Sequence, residues 1–340
     1  MSEVKSDTLV SKTFREFPYS AVAVVSPHPD DSAIGCSGLI HLLRRHRPDV
    51  AVHVLVMTPG YSGVERSWLA ANRRAAVQAL RDWLGLPREA VGSASALLAA
   101  TRERWGRGEF ASLGDFARLD GATDAERLDN ALKTAIRRDE AMREAKALGL
   151  SPGDGLHFLA MPGLYARRIE LAELAHLQAK FEAIAGSVGP SLVLAPHPQD
   201  QHSGHRVVAE ATLRALGVRA EWHVWHYETP WCPIPPENVD VLVPLDYEAI
   251  GVKKNAAAQH RSQTARTPYA DIVEVLGRKN ADVLPELLLG HHQEGLLHAF
   301  GICCEVYQVR LREFYTGAPK TDTVYTEEPL SFDTGTEPPP

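Results

Sequence analysis

The run Ala21-Val22-Ala23-Val24-Val25-Ser26 passes directly into Pro27-His28-Pro29-Asp30-Asp31, so an apolar, valine-rich segment ends in a turn carrying one imidazole and two carboxylates. Six residues without polar alternation read as a strand buried on both faces. Beyond the turn, Ile34, Leu39, Leu42 and Leu43 recur at helical spacing as far as Arg47, and Arg44, Arg45 and Arg47 complement the helix dipole at that end. Val50–Thr58 is the next strand, closed by Pro59-Gly60. Strand, helix, strand at these lengths is a βαβ unit with parallel pairing.

The alternation continues along the chain. Leu156–Ala160 and Ser191–Ala195 read as strands, Glu170–Ala185 and Ser203–Leu216 as helices, Glu221–Tyr227 and Val239–Val243 as strands, and Tyr247–Gln259 as a helix. Residues 281–314 are mixed, with a helix near Glu286 and a strand near Ile302–Val309. The expected fold is α/β, a Rossmann-like, mostly parallel sheet flanked by helices. Residues 64–121 fit as a helical insertion broken by glycine-rich turns. Asp124–Leu148 reads as one amphipathic helix ending at Gly149. A single domain is expected over 16–316, and 317–340, rich in Pro, Thr, Asp and Glu, as a disordered tail.

Composition narrows the function classes. The 340 residues hold 36 Lys+Arg against 43 Asp+Glu, a formal net charge of −7, which argues against phosphate-backbone binding and so against a nucleic-acid partner. No run is long and apolar enough for a membrane span. Met1–Arg15 lacks an apolar signal core, so a cytoplasmic location is expected. Four cysteines, Cys36, Cys232, Cys303 and Cys304, contain no Cys-x-x-Cys pair and suggest neither a disulfide framework nor a cysteine zinc site.

A second turn resembles the first: Ala195-Pro196 leads into His197-Pro198-Gln199-Asp200-Gln201-His202-Ser203-Gly204-His205. In open α/β sheets ligands bind outside the carboxyl ends of the strands, so both turns are expected on one edge, facing one site. His28 and Asp31, three apart on a turn entering a helix, plus a histidine of the second segment make a two-histidine, one-carboxylate set. Three protein ligands with an open position for water is the pattern of a catalytic zinc site. Asp30, beside a proposed ligand, is placed to act as general base. Asp200 is a candidate to hold a ligand histidine in one tautomer.

These residues resemble the PIG-L/LmbE-like family of zinc-dependent de-N-acetylases. The resemblance rests on the His28-Pro29-Asp30-Asp31 turn after a strand, on His202 and His205 after a later one, on Asp139-Glu140 through Leu148-Gly149, and on Lys254 through His260-Arg261-Ser262-Gln263. It implies zinc on His28, Asp31 and His205, Asp30 as general base, and His202 polarising the substrate carbonyl or protonating the leaving amine. The implied activity is hydrolysis of a linear amide, removing an N-acetyl or related N-acyl group from an amino sugar or glycoconjugate. The chain departs from the family pattern at Ser32, where Glu is common, at Gly204, where Asp is common, and at Pro59 in Thr58-Pro59-Gly60.

Weaker candidates are His260, as a residue reaching the site from its own chain or a neighbouring subunit, the His291-His292-Gln293-Glu294 cluster, and Trp222, Trp225, Trp231 and Tyr227 as sugar-stacking rings. Ser262 and Gln263 are expected to bond backbone groups at a helix end. Two other functions compete. His28-x-Asp30 with a distant histidine also spells the triad of a non-haem iron oxygenase, and the departure at Gly204 leaves a catalytically degenerate sugar-binding protein open. The partner in the leading reading is a small N-acylated sugar or glycoconjugate, and the sequence leaves a homo-oligomer open.

Overall fold

The computed structural model describes residues 9–86, 96–97, 99–100, 123–151, 155–185, 190–217, 222–289, 303–309 and 322–326. Its strands are β1 (Leu9–Thr13), β2 (Ala21–Ser26), β3 (Ala51–Val56), β4 (Leu156–Phe158), β5 (Ser191–Pro196), β6 (Trp222–Tyr227), β7 (Val241–Leu245), β8 (Cys303–Val309) and β9 (Asp322–Thr326). They form one sheet in the order β1-β9-β7-β8-β6-β5-β2-β3-β4. Among the described strands only β8 runs antiparallel to its neighbours, β6 and β7; the other pairings are parallel. The mostly parallel α/β sheet expected from the alternation is the fold observed.

Strand β2 is buried along its whole length. Val22 and Val24 pack into one apolar layer, with Leu39, Leu43, Ala141 and Ala256, while Ala21, Ala23 and Val25 pack into the other, with Leu177, Phe181, Val208 and Ala211. Period-two side chains on a strand covered on both faces explain the unbroken apolar run. β2 is also where the strand order reverses, with β3 on one side and β5 on the other. Its register sets Ala21 opposite Ser191 and Val24 opposite Leu194, which brings Ser26 and Pro196, the ends of the two strands, level with each other. The two polar turns therefore leave the sheet side by side.

The helices are α1 (Asp31–Gly35), α2 (Ser37–His46), α3 (Arg66–Ala71), α4 (Arg73–Leu84), α5 (Asp124–Ala147), α6 (Pro162–Tyr165), α7 (Leu171–Ala185), α8 (Ser203–Leu216), α9 (Tyr247–Ala258), α10 (Arg261–Thr264) and α11 (Tyr269–Leu289). The single helix expected from Ile34 to Arg47 is two, broken at Cys36. The break exposes the first amides of α2, and the Glu305 carboxylate accepts from Gly38 N and Leu39 N at 2.8 Å each. Lys253 and the Tyr307 hydroxyl hold that carboxylate in turn. Such an acidic partner satisfies orphan helix N–H groups and the positive end of the dipole.

α5 starts at a capping box, with Thr123 and Glu126 exchanging backbone and side-chain bonds. Its first half packs with α3 and α4 in a separate apolar cluster of Leu69, Leu80, Leu84, Leu128, Leu132 and Ile136. The described part of the expected insertion is thus helical. Residues 322–326, assigned to the tail by composition, form a strand between β1 and β7; Thr323-Val324-Tyr325-Thr326 has the β-branched and aromatic content of one. The rest of 317–340 and the His291–Glu294 cluster lie outside the described residues. Among the described residues no helix is long and apolar enough to cross a membrane.

Candidate metal centre and active-site cleft

The turn after β2 is built from its own polar groups. Ser26 Oγ donates to His28 O at 2.6 Å and accepts from Ser32 N at 3.0 Å, and Thr58 Oγ1 at the end of β3 donates to Pro27 O at 2.7 Å. Asp31 Oδ2 accepts from the backbone N–H of His28 at 2.8 Å, which turns both side chains the same way. On the neighbouring turn Asp200 takes three bonds: from His202 N (2.7 Å), from Thr229 Oγ1 (2.7 Å) and from His205 Nδ1 (2.9 Å). With Nδ1 committed to Asp200, His205 presents Nε2 to the first turn.

Three atoms converge there. His28 Nδ1 lies 3.0 Å from Asp31 Oδ2, His205 Nε2 lies 3.4 Å from the same oxygen, and the two nitrogens are 3.3 Å apart. Donors at about 2.0–2.1 Å from a tetrahedral zinc are separated by about 3.3 Å, a spacing that these three atoms match. His202 joins a looser trio with His28 and His205, in which one nitrogen from each lies within 4.8 Å of the others. The set with Asp31 is the tighter, and it adds a carboxylate to the imidazoles.

The electrostatics favour a cation at this point. Burial opposes a charged Asp31, yet His205 and His28 hold it well below the usual carboxylate range. Burial likewise opposes a protonated His205, and the Asp31 and Asp200 carboxylates overcome it, pushing the imidazole up to about 10. Asp200 is itself lowered, because its bonds from His205 and Thr229 outweigh burial. His202 differs. Burial, aided by the neighbouring His205 and His28, takes it down to about 4, so it is a neutral imidazole near pH 7. Its Nδ1 is buried without a hydrogen-bond partner among the described residues. A Cβ on Gly204 would stand 3.1–3.2 Å from Cε1 and Nδ1 of this ring, so the glycine leaves the ring its space.

Asp30 has a separate partner. Its Oδ1 accepts from Arg137 Nη2 at 2.6 Å, while Oδ2 makes no hydrogen bond among the described residues. Arg137, buried on α5, also bonds Glu140 at 3.2 Å. Burial lowers its basicity, but Asp30 and Glu140 more than reverse that. Glu140 in turn accepts from Ser262 N (2.6 Å) and Oγ (2.8 Å). The partner of Ser262 is thus a carboxylate on α5, not the backbone groups expected from the sequence. Glu144, one turn further, accepts from Ser32 Oγ at 2.7 Å and bonds His260 Nε2 at 2.8 Å. His260 is fully buried in this network and does not line the cleft.

An open cleft of ≈ 440 Å³ covers the centre, and its walls include His28, Thr58, Ser62, Tyr165, Arg167 and His202. His197 points elsewhere, to Gln308 Oε1 at 2.9 Å. Of the aromatic candidates, Trp222, Trp225 and Tyr227 are core residues, whereas the half-buried Trp231 ring sits 5.6 Å from His205 and 5.9 Å from His202. Tyr165 and Arg167 were not among the sequence candidates. The signal was available: Met161-Pro162-Gly163 follows β4, another parallel strand whose carboxyl end borders the same edge.

Comparison with known proteins adds three findings. The model of the family described as PIG-L, GlcNAc-PI de-N-acetylase, matches residues 23–216. A Bacteroides thetaiotaomicron protein described as glucosamine-6-phosphate deaminase-like is 24% identical over 275 residues, which are 77% of this chain and 38% of that protein, so the chain spans well under half of its relative. Among solved structures, the 4-carboxy-2-hydroxymuconate hydratase GalB of Pseudomonas putida is similar with a TM-score of 0.50 at 18% identity, covering 85% of this chain and 95% of that one. The N,N'-diacetylchitobiose deacetylase of Pyrococcus horikoshii has a TM-score of 0.48 at 17% identity, covering 88% and 87%. At such identities the likeness to GalB is one of fold.

Proposed function

Because this chain belongs to the PIG-L family of GlcNAc-PI de-N-acetylases, we propose that it is a metal-dependent hydrolase that removes an N-acetyl or related N-acyl group from an amino sugar or glycoconjugate. The observation that carries the reading is the triangle of His28 Nδ1, Asp31 Oδ2 and His205 Nε2, with sides of 3.0–3.4 Å, beside an open cleft that His28 lines. Those three side chains would hold zinc, which when bound supplies Lewis acidity and brings the pKa of water from about 15.7 to about 7.

The chain's own groups do the proton work. Asp30 takes the proton given up by the attacking water on Oδ2, the oxygen that Arg137 leaves unbound. The Arg137 bond to Oδ1 fixes the plane of the carboxylate. His202, neutral at pH 7, offers an N–H to the carbonyl oxygen as negative charge grows there. The carbon–nitrogen bond then breaks, Asp30 returns its proton to the leaving amine, and the acyl group departs as a carboxylate. Asp200 orients His205 throughout, from a carboxylate held by three donors.

The geometry favours this over the iron-triad alternative. That reading needs Asp30 beside the two imidazoles, and it is Asp31 that lies between them, while Asp30 is bound to Arg137. The fold does not choose the reaction by itself, since a hydratase shares it. The test is acetate release by zinc-loaded protein from N-acetylglucosamine, its phosphate ester and N,N'-diacetylchitobiose. The expected result is release that stops on chelation and returns with zinc. Full zinc occupancy with no acetate from any amide, even after long incubation, would overturn the proposal.

A further inference from the structure

Helices α4, α5 and α6 end in the same way. In each, one N–H after the helix bonds back three residues and the next bonds back five: Gly85 N to Asp82 O and Leu86 N to Arg81 O; Gly149 N to Lys146 O and Leu150 N to Ala145 O; Arg167 N to Leu164 O and Arg168 N to Gly163 O. This pattern puts the first of the two residues in the left-handed backbone region, where glycine is the usual occupant. Gly85 has φ 62° and Gly149 φ 70°. At the end of α6 the position is filled by Arg167, with φ 59°. An L side chain is strained there, so the arginine costs stability that glycine would not.

That arginine stands at the catalytic cleft. It shares the wall with His28, His202, Tyr165 and Ser62, and among the described residues it is the only Arg, Lys, Asp or Glu that lines it. Its side chain is exposed and makes no hydrogen bond or ion pair among the described residues. The neighbouring Arg168 is exposed too but does not line the cleft. A strained residue at a functional site, with an uncommitted planar cation, fits selection for a contact that the free protein does not make.

We infer that Arg167 is a specificity-determining residue, and that the substrate carries an anionic group, a carboxylate or a phosphate, which its guanidinium binds in bidentate fashion while the acyl group sits at the metal centre. This rests on the proposed amide hydrolysis and names the substrate class within it. The expected contribution is about tenfold in KM, because the charge-assisted bond is reduced by solvent at an exposed position, and it shrinks as ionic strength rises.

The experiment compares kcat/KM for N-acetylglucosamine, N-acetylglucosamine 6-phosphate and N-acetylmuramic acid in the wild type, Arg167→Gln, Arg167→Gly and the control Arg168→Gln. Calorimetric titration with glucosamine and glucosamine 6-phosphate reads binding without turnover. The wild type is expected to prefer at least one anionic substrate, and the two anions tell phosphate from carboxylate. The preference should fall about tenfold through KM in both Arg167 variants and survive in Arg168→Gln. Arg167→Gly should meanwhile hold or raise the unfolding midpoint, by about one to three degrees, as relief of the strained backbone requires. Absence of an anion preference, its survival in both Arg167 variants, or equal losses on neutral and anionic substrates with a lowered midpoint would overturn the inference. Phosphate-selective binding that vanishes in Arg167→Gln, without acetate from any amide, would support the arginine's role and overturn the hydrolase reading instead. Neither turnover nor selective binding would overturn both.

Discussion

Replacing Asp200 by Asn changes one bond and leaves the shape of the turn intact. The carboxylate accepts from His202 N, Thr229 Oγ1 and His205 Nδ1. An asparagine keeps the first bond through its carbonyl oxygen, and the Thr229 hydroxyl can rotate to accept from the new amide. His205 has no such escape, because its Nδ1–H then meets an N–H, so the ring is driven to carry its proton on Nε2. That nitrogen is the one 3.4 Å from Asp31 and 3.3 Å from His28, and a protonated nitrogen cannot ligate a metal. A lost hydrogen bond to a charged group amounts to about 1.5–3 kcal/mol. At 1.4 kcal/mol per factor of ten this is about 10- to 100-fold in zinc affinity, the range general for such supporting partners. Competition of each protein with a chromophoric chelator near neutral pH measures it, with circular dichroism as the check on folding. A folded Asp200→Asn variant whose zinc affinity stays within about twofold of the wild type would refute the assignment of His205 Nε2 as a ligand.

Asp30→Asn is expected to keep its zinc, by elemental analysis, and to lose about 10²- to 10⁴-fold in kcat, since no ligand changes but the proton acceptor is gone. Removing the metal should lower the unfolding midpoint as well as abolish turnover, and added zinc should restore both, because a ligand bound only by the folded state stabilises it by mass action. His260→Asn is expected to cost about 1.5–3 kcal/mol in denaturant unfolding through its bond to Glu144, with KM little changed; a KM effect without a stability effect would place it in the cleft instead. Ser32→Glu should cost about 3–5 kcal/mol by setting two buried carboxyl groups together, and pairing it with Glu144→Ser should recover most of the loss, a coupling that a double-mutant cycle reads directly.

Much of the fold was legible because the deciding cues are local. Strand β2, helix α8 and the strand β5 are bounded by turns and caps within a residue of the observed ends, and the rule that ligands collect at carboxyl ends of parallel strands puts the His28–Asp31 and Asp200–His205 turns at one edge, while the choice of His205 among the histidines of its segment is what the family resemblance implies. What was missed depends on partners far along the chain. The break at Cys36 is stabilised by Glu305, 267 residues from Gly38, and no local propensity signals it. The sequence points Ser262 to backbone groups because its acceptor, Glu140, lies 122 residues away on a helix whose inner face cannot be chosen from periodicity alone. β9 was hidden by the proline-rich composition around it.

The same non-local contacts explain why two adjacent, chemically identical side chains separate in role. Asp30 and Asp31 share a turn and are both buried, so neither composition nor solvent access distinguishes them. Asp31 begins α1, and its carboxylate folds back on the His28 N–H, which aims it at both imidazoles. Asp30, one residue earlier, faces α5 and meets Arg137. α5 reaches that point because Glu140 is tied to α10 through Ser262, and Glu144 to the turn itself through Ser32. The Ser32 hydroxyl thus ties the start of α1 to the Glu144 carboxylate of α5. The long helix α5 thereby decides which aspartate faces Arg137, while its neighbour faces the two imidazoles.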